Sequence, residues 1–594
     1  MDRSLLVLYG TQTGNAQEVA DRIVREARRL HFNSVRSMPM DEYTDRSELV
    51  KQKLVIFVCS TTGQGEEPDN MKSFWKFLLR RNLPSNLFSG TSYAVFGLGD
   101  TSYPKYNFPA KKLHKRLAQL GAHPVVYRGD GDDQHELGID GALDTWLEAL
   151  WQKISQLYPL PSGIGGDNNM NEHTTPAPSY CIEFLDVNGH VPTTISLLSP
   201  RGDGLSSAKP KVATVKGNSR ITASDHDQDT RHLIFEIDKN VRYSAGDVMV
   251  VYPRNLPSEV QEFINHCQWH DVADRPIQLI PTRADIQPPK QIVQPTTLRT
   301  LLTSHIDIFG RPKRYFFELA SYFATNGLQA GKLREFASAA GQSDLYAYCH
   351  RMRRTTFEVL QDFASIEFPI EYLLDLIPAM RPRSFSIASS PSAHPGEIHL
   401  CVAIVEYYTR MKKARTGVCT KWMRTLQSGD HVLFTVARGS LKLPADATPA
   451  IFIAPGTGIA PMRALIHERA HRGSSANVLF FGFRSRSKDY YYQNELALLV
   501  RTGGLQLYTA ASQDQDFKIY VQHRMHEQAA LIWRSVHEMN GVVFLSGSST
   551  RIPKDVTDAL VQICVRQGNM DAEQAEAYVA SLQKEGRYLQ DCWS

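Results

Sequence analysis

No stretch of this 594-residue chain approaches the ~20 consecutive apolar residues that a bilayer-spanning helix needs, which argues against a membrane span. An apolar run at residues 5–9 begins almost at Met1, so neither a signal peptide nor an anchor is expected. Cysteine is sparse. Eight are scattered without a C-x-x-C pair, which argues against a disulfide framework or a zinc site and points to a reducing compartment, the cytosol by default. An excess of one charge is missing too: Lys+Arg 66 against Asp+Glu 62 leave a formal +4 with no concentrated basic block, which sets nucleic-acid binding aside.

What is present starts with length, which exceeds one hydrophobic core and predicts three or four domains with linked sites. Residues 5–9 read as a strand running into Gly10-Thr11-Gln12-Thr13-Gly14-Asn15-Ala16 and then an amphipathic helix through Leu30. A strand, a hydroxyl-rich loop and a helix N-terminus suit a dianionic phosphate, held by hydroxyls, amides and the helix dipole. The loop lacks the Gly-Lys-Thr ending of a Walker loop. Strands at 54–59 and 93–96 end in comparable loops, Ser60-Thr61-Thr62-Gly63-Gln64-Gly65-Glu66 and Gly97-Leu98-Gly99-Asp100-Thr101-Ser102-Tyr103-Pro104-Lys105-Tyr106-Asn107. Ligands of open parallel sheets sit beyond the carboxyl ends of the strands, so the three loops should converge.

This pattern resembles flavodoxin-like FMN domains. The resemblance implies Thr11, Gln12, Thr13, Gly14, Asn15 and Ala16 for the phosphate, and Ser60, Thr61, Thr62, Gly63 and the run Leu98 to Asn107 around the ring. Tyr103 matches the stacking tyrosine, and Asp133, in the turn Gly131-Asp132-Asp133-Gln134, matches a further contact. Thr62 stands where many relatives carry a second tyrosine, which predicts weaker FMN retention through lost aromatic area. Glu66, Glu67, Asp69, Asp130, Asp132, Asp133 and Glu136 cluster near the expected ring edge, as either a solvated rim or a docking face for basic partners.

After this first domain (1–158), residues 159–179 are full of breakers without hydrophobic periodicity and read as the start of a linker extending to 207. A flexible chain of that kind spans roughly 25 Å, enough for the first domain to swing and equally consistent with a passive spacer. From 208 to 448 short alternating strands with turn signals predict an antiparallel barrel, interrupted at about 257–378 by a largely helical lobe with examples at 304–323 and 355–363.

The barrel resumes at Met-Arg-Pro-Arg-Ser-Phe-Ser-Ile-Ala-Ser-Ser (380–390), where Arg383, Ser384, Phe385 and Ser386 alternate along a short run. About thirty residues on, Thr416-Gly417-Val418-Cys419-Thr420 opens a helix and offers amides and a hydroxyl to an anion, which with the arginine suggests a pyrophosphate. These segments resemble the FAD-binding segments of the ferredoxin–NADP reductase family. By that resemblance Arg383 holds the FAD phosphates with Gly417 to Thr420, Phe385 stacks on the isoalloxazine and Ser386 hydrogen-bonds near N5. A barrel split by a helical insert resembles the diflavin reductases, and by analogy Arg353 reaches the FAD adenosine, a solvated helix end being the plain alternative.

In the last domain (449–594) a strand at 450–454 ends in Pro455-Gly456-Thr457-Gly458-Ile459-Ala460-Pro461 before a helix, the context in which glycines admit a pyrophosphate and Thr457 a candidate contact. Further strands are expected at 478–483, 505–511 and 542–545. Within 512–522, Ser512, Lys518 and Tyr520 match the group that holds the NADPH 2′-phosphate in relatives, with Gln513, Ile519, Val521 and Gln522 in the same segment. The arginine usual after that serine is Gln513 here, which predicts shallower selectivity. Ser546 stands where cytochrome P450 reductases carry cysteine, on the nicotinamide side. The ending Asp591-Cys592-Trp593-Ser594 is similar to Asp-x-Trp-Ser termini, which implies Trp593 as a lid on the FAD ring and Asp591 near Ser386.

The resemblance implies a multidomain α/β and β-barrel oxidoreductase with FMN, FAD and NADPH that passes electrons to a protein acceptor, and a monomer is expected. The turn at 131–138 looks most like the cytosolic diflavin reductases that serve iron–sulphur assembly through anamorsin. Rival readings are a soluble reductase for a haem protein of the cytochrome P450 or sulfite reductase type, and a flavin-free scaffold that keeps the fold.

Overall fold

The computed structural model describes residues 3–63, 65–103, 105–160, 175–185, 210–283, 286, 292–409 and 412–593. Pro104 among the expected site residues lies outside the described residues, as do most of the expected linker and Ser594. The chain forms two compact units: Met1–Ser207 with Pro257–Ala379, and Ala208–Leu256 with Met380–Ser594.

In the first unit a parallel sheet runs in the order Ser34–Pro39, Ser4–Gly10, Leu54–Ser60, Ser92–Gly99, with His123–Pro124 and Gly129–Asp132 both paired to the last. The central strands are apolar on both faces because helices cover both, leaving Val7, Ile56 and Phe96 in one core and Leu8, Phe57 and Val95 in the other. The order reverses direction around Ser4–Gly10, so its carboxyl end and that of Leu54–Ser60 flank a crevice.

The helical lobe of this unit has its own core, with Phe263, Leu301, Phe316, Leu333 and Phe357 buried in it. The helix expected across 304–323 is broken. One helix ends at Ser304 and the next spans Arg314–Ala320. Gly310 and Pro312 interrupt the backbone ladder there, while Ile306 and Ile308 are fully buried and supply the apolar periodicity that imitates a continuous helix. Thr355 caps the helix Thr356–Asp362 through a reciprocal bond with Glu358. The stretch read as linker contains a strand, Tyr180–Phe184, paired antiparallel with Ile277–Pro281 of the lobe, and Asp375 accepts from the Ser179 backbone at 2.8 Å.

The second unit holds a six-stranded antiparallel sheet in the order Arg383–Ser386, Val248–Val251, His431–Ala437, Lys211–Arg220, Thr230–Ile237, Glu397–Ala403. An Ile387–Leu400 bridge joins the two edges and closes it into a barrel. Closure leaves no free edge, and the interior is filled by Phe235, Met249, Leu400 and Phe434. A parallel five-stranded sheet follows, ordered Gln506–Ala511, Asn477–Phe483, Ala450–Pro455, Val542–Ser548, Tyr588–Trp593. Its last strand is the chain terminus, which carries Asp591 and Trp593 beside Ser546 and Ser548.

Candidate functional site

The first unit assembles the expected phosphate loop at the N-terminus of helix Asn15–Arg29. Gly14 takes a left-handed φ of 98°, and no side chain caps the helix. The amides of the first turn are therefore available to an anion. Thr11 is buried and its hydroxyl accepts from Gly14 N–H at 2.9 Å, so this residue shapes the loop. Asn70, which the sequence did not flag, accepts from Thr11 N–H, and Asp69 pairs with Gln12 in both directions. Thr13 and Asn15 are exposed, while Ala16 is in the core. Thr62 and Glu66 pair across a tight turn in which Gly63 and Gly65 take positive φ. The Thr61 hydroxyl is buried with no partner among the described residues, a polar atom that a bound flavin can satisfy.

In the third loop the roles divide. Tyr103 and Asp100 are half-buried and Thr101, Ser102 and Lys105 are exposed, whereas the Tyr106 hydroxyl donates to Asp130 O and the amide of fully buried Asn107 donates to Gly131 O. Leu98 and Asn107 are thus internal, and only their backbone can meet a ligand. Asp132, not the exposed Asp133, organises the loop by accepting from both Thr101 N–H and Oγ1. Burial would raise its carboxyl pKa, but the Thr101 bonds hold it below the usual range.

In the second unit Ser386 Oγ donates to Asp591 Oδ2 at 2.8 Å. Burial pushes the Asp591 pKa up, against the pull of that bond. Parallel pairing sets Ser546 level with Asp591, and alternation puts Trp593, 41% exposed, on the same face as Asp591. Ser546 is fully buried and its Oγ has no partner among the described residues. The turn Gly456–Gly458 lies against it: a Cβ on Gly458 would come within 2.0 Å of Ser546 O. This is a cradle at the switch point of the sheet, with an unsatisfied hydroxyl, and it fits a nicotinamide nucleotide.

Arg383 donates to the carbonyls of Arg381 and Pro382 alone among the described residues, so its charge meets no carboxylate. Helix Val418–Thr425 starts at Gly417 without a side-chain cap. Together they fit a pyrophosphate. Two expectations change here. Thr420 is buried with its hydroxyl accepting from Val405 N–H, and Cys419 is in the barrel core, so these positions offer backbone only. Phe385 packs partly on that core and Ser386 lies across the strand from it, so ring and hydroxyl point to opposite faces.

Ser512, Gln513, Lys518 and Tyr520 lie at the carboxyl end of the edge strand, the last three exposed. Val521 and Ile519 pack into the core instead, Gln522 reaches Asp555, and Gln515 pins the loop by donating to Ala511 O and Phe517 O. Arg353 belongs to the first unit, exposed at φ +53° in the lining of a cavity of ≈ 340 Å³ beside the helix Asn15–Arg29. No described helix is long and apolar enough to cross a membrane, and no described group of His, Cys, Asp or Glu could hold a metal. All eight cysteines are free.

Behind the Ser386 strand four imidazoles gather. His394 and His399 are 4.4 Å apart, His232 meets His399 edge-on, and His394 stacks on His467. Burial, then Arg463 and His399, pushes His232 down to about 3, and burial, then His399 and Arg463, pushes His394 down to about 4. Both are neutral in the fold but bind protons in the unfolded chain below 6.5, so their contribution to stability is complete above that pH and is lost as pH falls toward the folded values. Burial would raise Glu495, yet His467 and Arg463 hold it at about 2, so its contribution disappears in a lower window, from 4.5 downward. Thermal melts should therefore decline from about pH 6.5 on acidification, and His232→Asn should flatten the upper part of that decline. A melting temperature constant between neutrality and pH 5 would contradict the assignment.

Comparison with known proteins assigns three successive parts of the chain to families. The chain matches the flavodoxin family over residues 7–146, the FAD binding domain over 204–422 and the oxidoreductase NAD-binding domain over 452–557. A flavodoxin part, an FAD part and a pyridine-nucleotide part in one polypeptide define an oxidoreductase with two flavins. Over its whole length the chain is similar to NADPH-dependent diflavin oxidoreductase 1 of Danio rerio, 43% identical over 604 residues that span 100% of this chain and 99% of that one. The proteins of the same name from Xenopus laevis and Arabidopsis thaliana are 42% identical over 605 residues (100% of each chain) and 37% identical over 620 residues (100% and 99%). The chain belongs to the NADPH-dependent diflavin oxidoreductases, with FMN, FAD and NADPH as cofactors and a protein as electron acceptor. The flavin-free scaffold is set aside.

Proposed function

We propose that this enzyme delivers electrons to the iron–sulphur protein anamorsin in cytosolic iron–sulphur cluster assembly. The reading rests on the turn at 131–138 and on full-length similarity to the diflavin oxidoreductases, and eight free thiols are compatible with a reducing cytosol. When bound, NADPH would supply the hydride, and the two flavins would provide the two-electron to one-electron conversion that a single-electron protein acceptor needs. Within the chain, the amides after Gly14 hold the FMN phosphate, and Thr61 and Tyr103 border its ring. Arg383 and the helix after Gly417 hold the FAD pyrophosphate, and Thr457, Ser546 and the Gly458 cradle hold the nicotinamide end of NADPH.

The observation that carries the redox-site assignment is the Ser386–Asp591 hydrogen bond, level with the buried unpartnered Ser546 hydroxyl. Purified enzyme with NADPH should reduce anamorsin at low micromolar acceptor and reduce a cytochrome P450 only slowly. Equal efficiency toward both would overturn the acceptor assignment.

Ser512, Lys518 and Tyr520 bind the 2′-phosphate in this reading, and Gln513 contributes no charge. A charge-assisted bond is worth about 1.5–3 kcal/mol, so Gln513→Arg should raise the NADPH-over-NADH ratio of kcat/KM by about tenfold or more, and Lys518→Ala should lower it comparably. Ratios unmoved in both variants would place the 2′-phosphate elsewhere.

A further inference from the structure

Helix Ile459–His471 begins at the Gly456–Gly458 turn and carries, one turn later, a buried arginine that neither the motifs nor the cofactor sites use. Arg463 is 4% exposed. Its Nε and Nη2 donate to the two oxygens of Glu495 at 2.8 Å each, and Nη1 donates to Ala388 O at 2.6 Å. Ala388 lies two residues beyond Ser386, on the peptide that closes the barrel against His399. The guanidinium also faces His399 Nδ1 and the Tyr492 ring, and His467 donates to Glu495.

We propose that Arg463, with Glu495 as its counter-ion, is a positioning residue for hydride transfer, which sets the Ser386 peptide against the helix that starts at the nicotinamide-side turn. The proposal rests on the assignment of Ser386 and Asp591 to the flavin side and of Gly458 and Ser546 to the nicotinamide side.

Three observations favour this role over plain stabilisation. A buried ion pair contributes little net stability compared with apolar residues of the same size, so it is poor evidence of a stabilising device and better evidence of a directional one. Beyond Glu495, its shorter bond, from Nη1 at 2.6 Å, goes to a carbonyl two residues past the strand bearing the hydride-site serine, with His399 Nδ1 at 3.4 Å from the same nitrogen. The same helix also carries a contrasting case: fully buried Arg469 bonds Asn477, Thr448, Ala445 and Ser474, all between the sheet and the segment entering it, and nothing on the Ser386 strand. Arg469 pins the connection into the sheet, whereas Arg463 spans the two halves between which the reacting groups must meet. Rates respond steeply to such placement, since a misplacement of about 1 Å costs on the order of 100-fold.

The test compares Arg463→Lys, Arg463→Gln, Glu495→Gln and Arg469→Lys in the full-length protein. With both flavins bound, stopped-flow reduction of FAD by saturating NADPH should slow by about tenfold or more in the Arg463 and Glu495 variants. The KM for NADPH should stay within about twofold, and the primary deuterium isotope effect on turnover should grow. In the flavin-free protein, hydrogen exchange of the amides at 387–390 should accelerate in the same variants. Arg469→Lys should lower thermal stability and leave the hydride step and that exchange unchanged. Faster exchange with an unaltered hydride step, or no change in either, overturns the proposal. A normal hydride step in Ser386→Ala and Asp591→Asn overturns instead the site assignment beneath it.

Discussion

Ser386→Ala and Asp591→Asn should each slow NADPH-driven FAD reduction by about 10²–10³-fold, and the double variant should be no slower than the slower single one. The two groups form one unit. Ser386 Oγ has Asp591 as its hydrogen-bond acceptor, and among the described residues the Asp591 carboxyl has no other partner that lowers its raised pKa. Ser386→Ala leaves the half-buried Asp591 carboxyl without its bond, while Asp591→Asn keeps an oxygen that can accept from Ser386 Oγ but removes the titratable carboxyl, so each variant disables the pair and the second substitution removes little that the first has not already removed. Asparagine keeps the size of Asp591 but cannot carry a proton between water and the site, which separates a proton-handling role from simple packing. Stopped-flow bleaching of the flavin band, with FMN and FAD contents measured in parallel, reads the effect. A full rate in Asp591→Asn would remove this residue from the chemistry.

Gly458→Ala is the second large effect. Its φ of −57° is ordinary for any residue, so the backbone bears no strain, and the cost is purely one of space. The added Cβ would lie 2.0 Å from Ser546 O and 2.6 Å from Ser546 C, and a backbone carbonyl in the middle of a parallel sheet cannot swing aside as a side-chain tip can. Overpacking of this kind costs about 1–3 kcal/mol, and here it separates the turn from the strand that holds the unpartnered hydroxyl. The KM for NADPH should rise by about tenfold or more, and FMN binding should be unchanged. Gly456→Ala is the matched comparison. No atom lies near its added Cβ, but its φ is +58°, so it carries a left-handed penalty of about 1–2 kcal/mol with no steric displacement of Ser546. Isothermal titration with NADP and thermal melts distinguish the two. Equal behaviour of the pair would show that backbone conformation, not the Gly458–Ser546 contact, governs the turn.

Local periodicity made much of this protein legible. Two parallel sheets are written as apolar runs of strand length, each ending in a glycine- and hydroxyl-rich loop, because strands covered on both faces need no polar alternation. The barrel strands are readable through turn signals such as the positive-φ Gly246. Periodicity misled at 304–323, where buried isoleucines in a broken segment copy the spacing of a helix. It was silent at Tyr588–Trp593 and Tyr180–Phe184, since both short strands exist only through partners distant in the chain.

Motif matching located segments but not the task of each side chain within them. Thr11, Asn107, Thr420 and Val521 all sit in expected cofactor segments, yet each commits its side chain to the protein itself. Asn70, Arg463 and Glu495 carry no motif and Asp132 was read only as part of an acidic turn, yet all four hold those segments in shape. Nothing local singled out the last pair, since the helix Ile459–His471 also carries His467, Glu468, Arg469 and His471, and only the folded chain shows Arg463 buried against Glu495.

The amino-acid order alone pointed to a candidate phosphate loop, a candidate pyrophosphate-binding helix start and a candidate nucleotide turn, because each is a local arrangement of glycines, hydroxyls and helix ends within a dozen or so residues. The resemblance already set Asp591 near Ser386, and only the folded chain decided that Ser546 lies level with that pair and that Arg463 ties the segment after Ser386 to the helix leaving the Gly458 turn. Those residues meet through sheet register and barrel closure, and such long-range pairing is set by the packing of the whole unit.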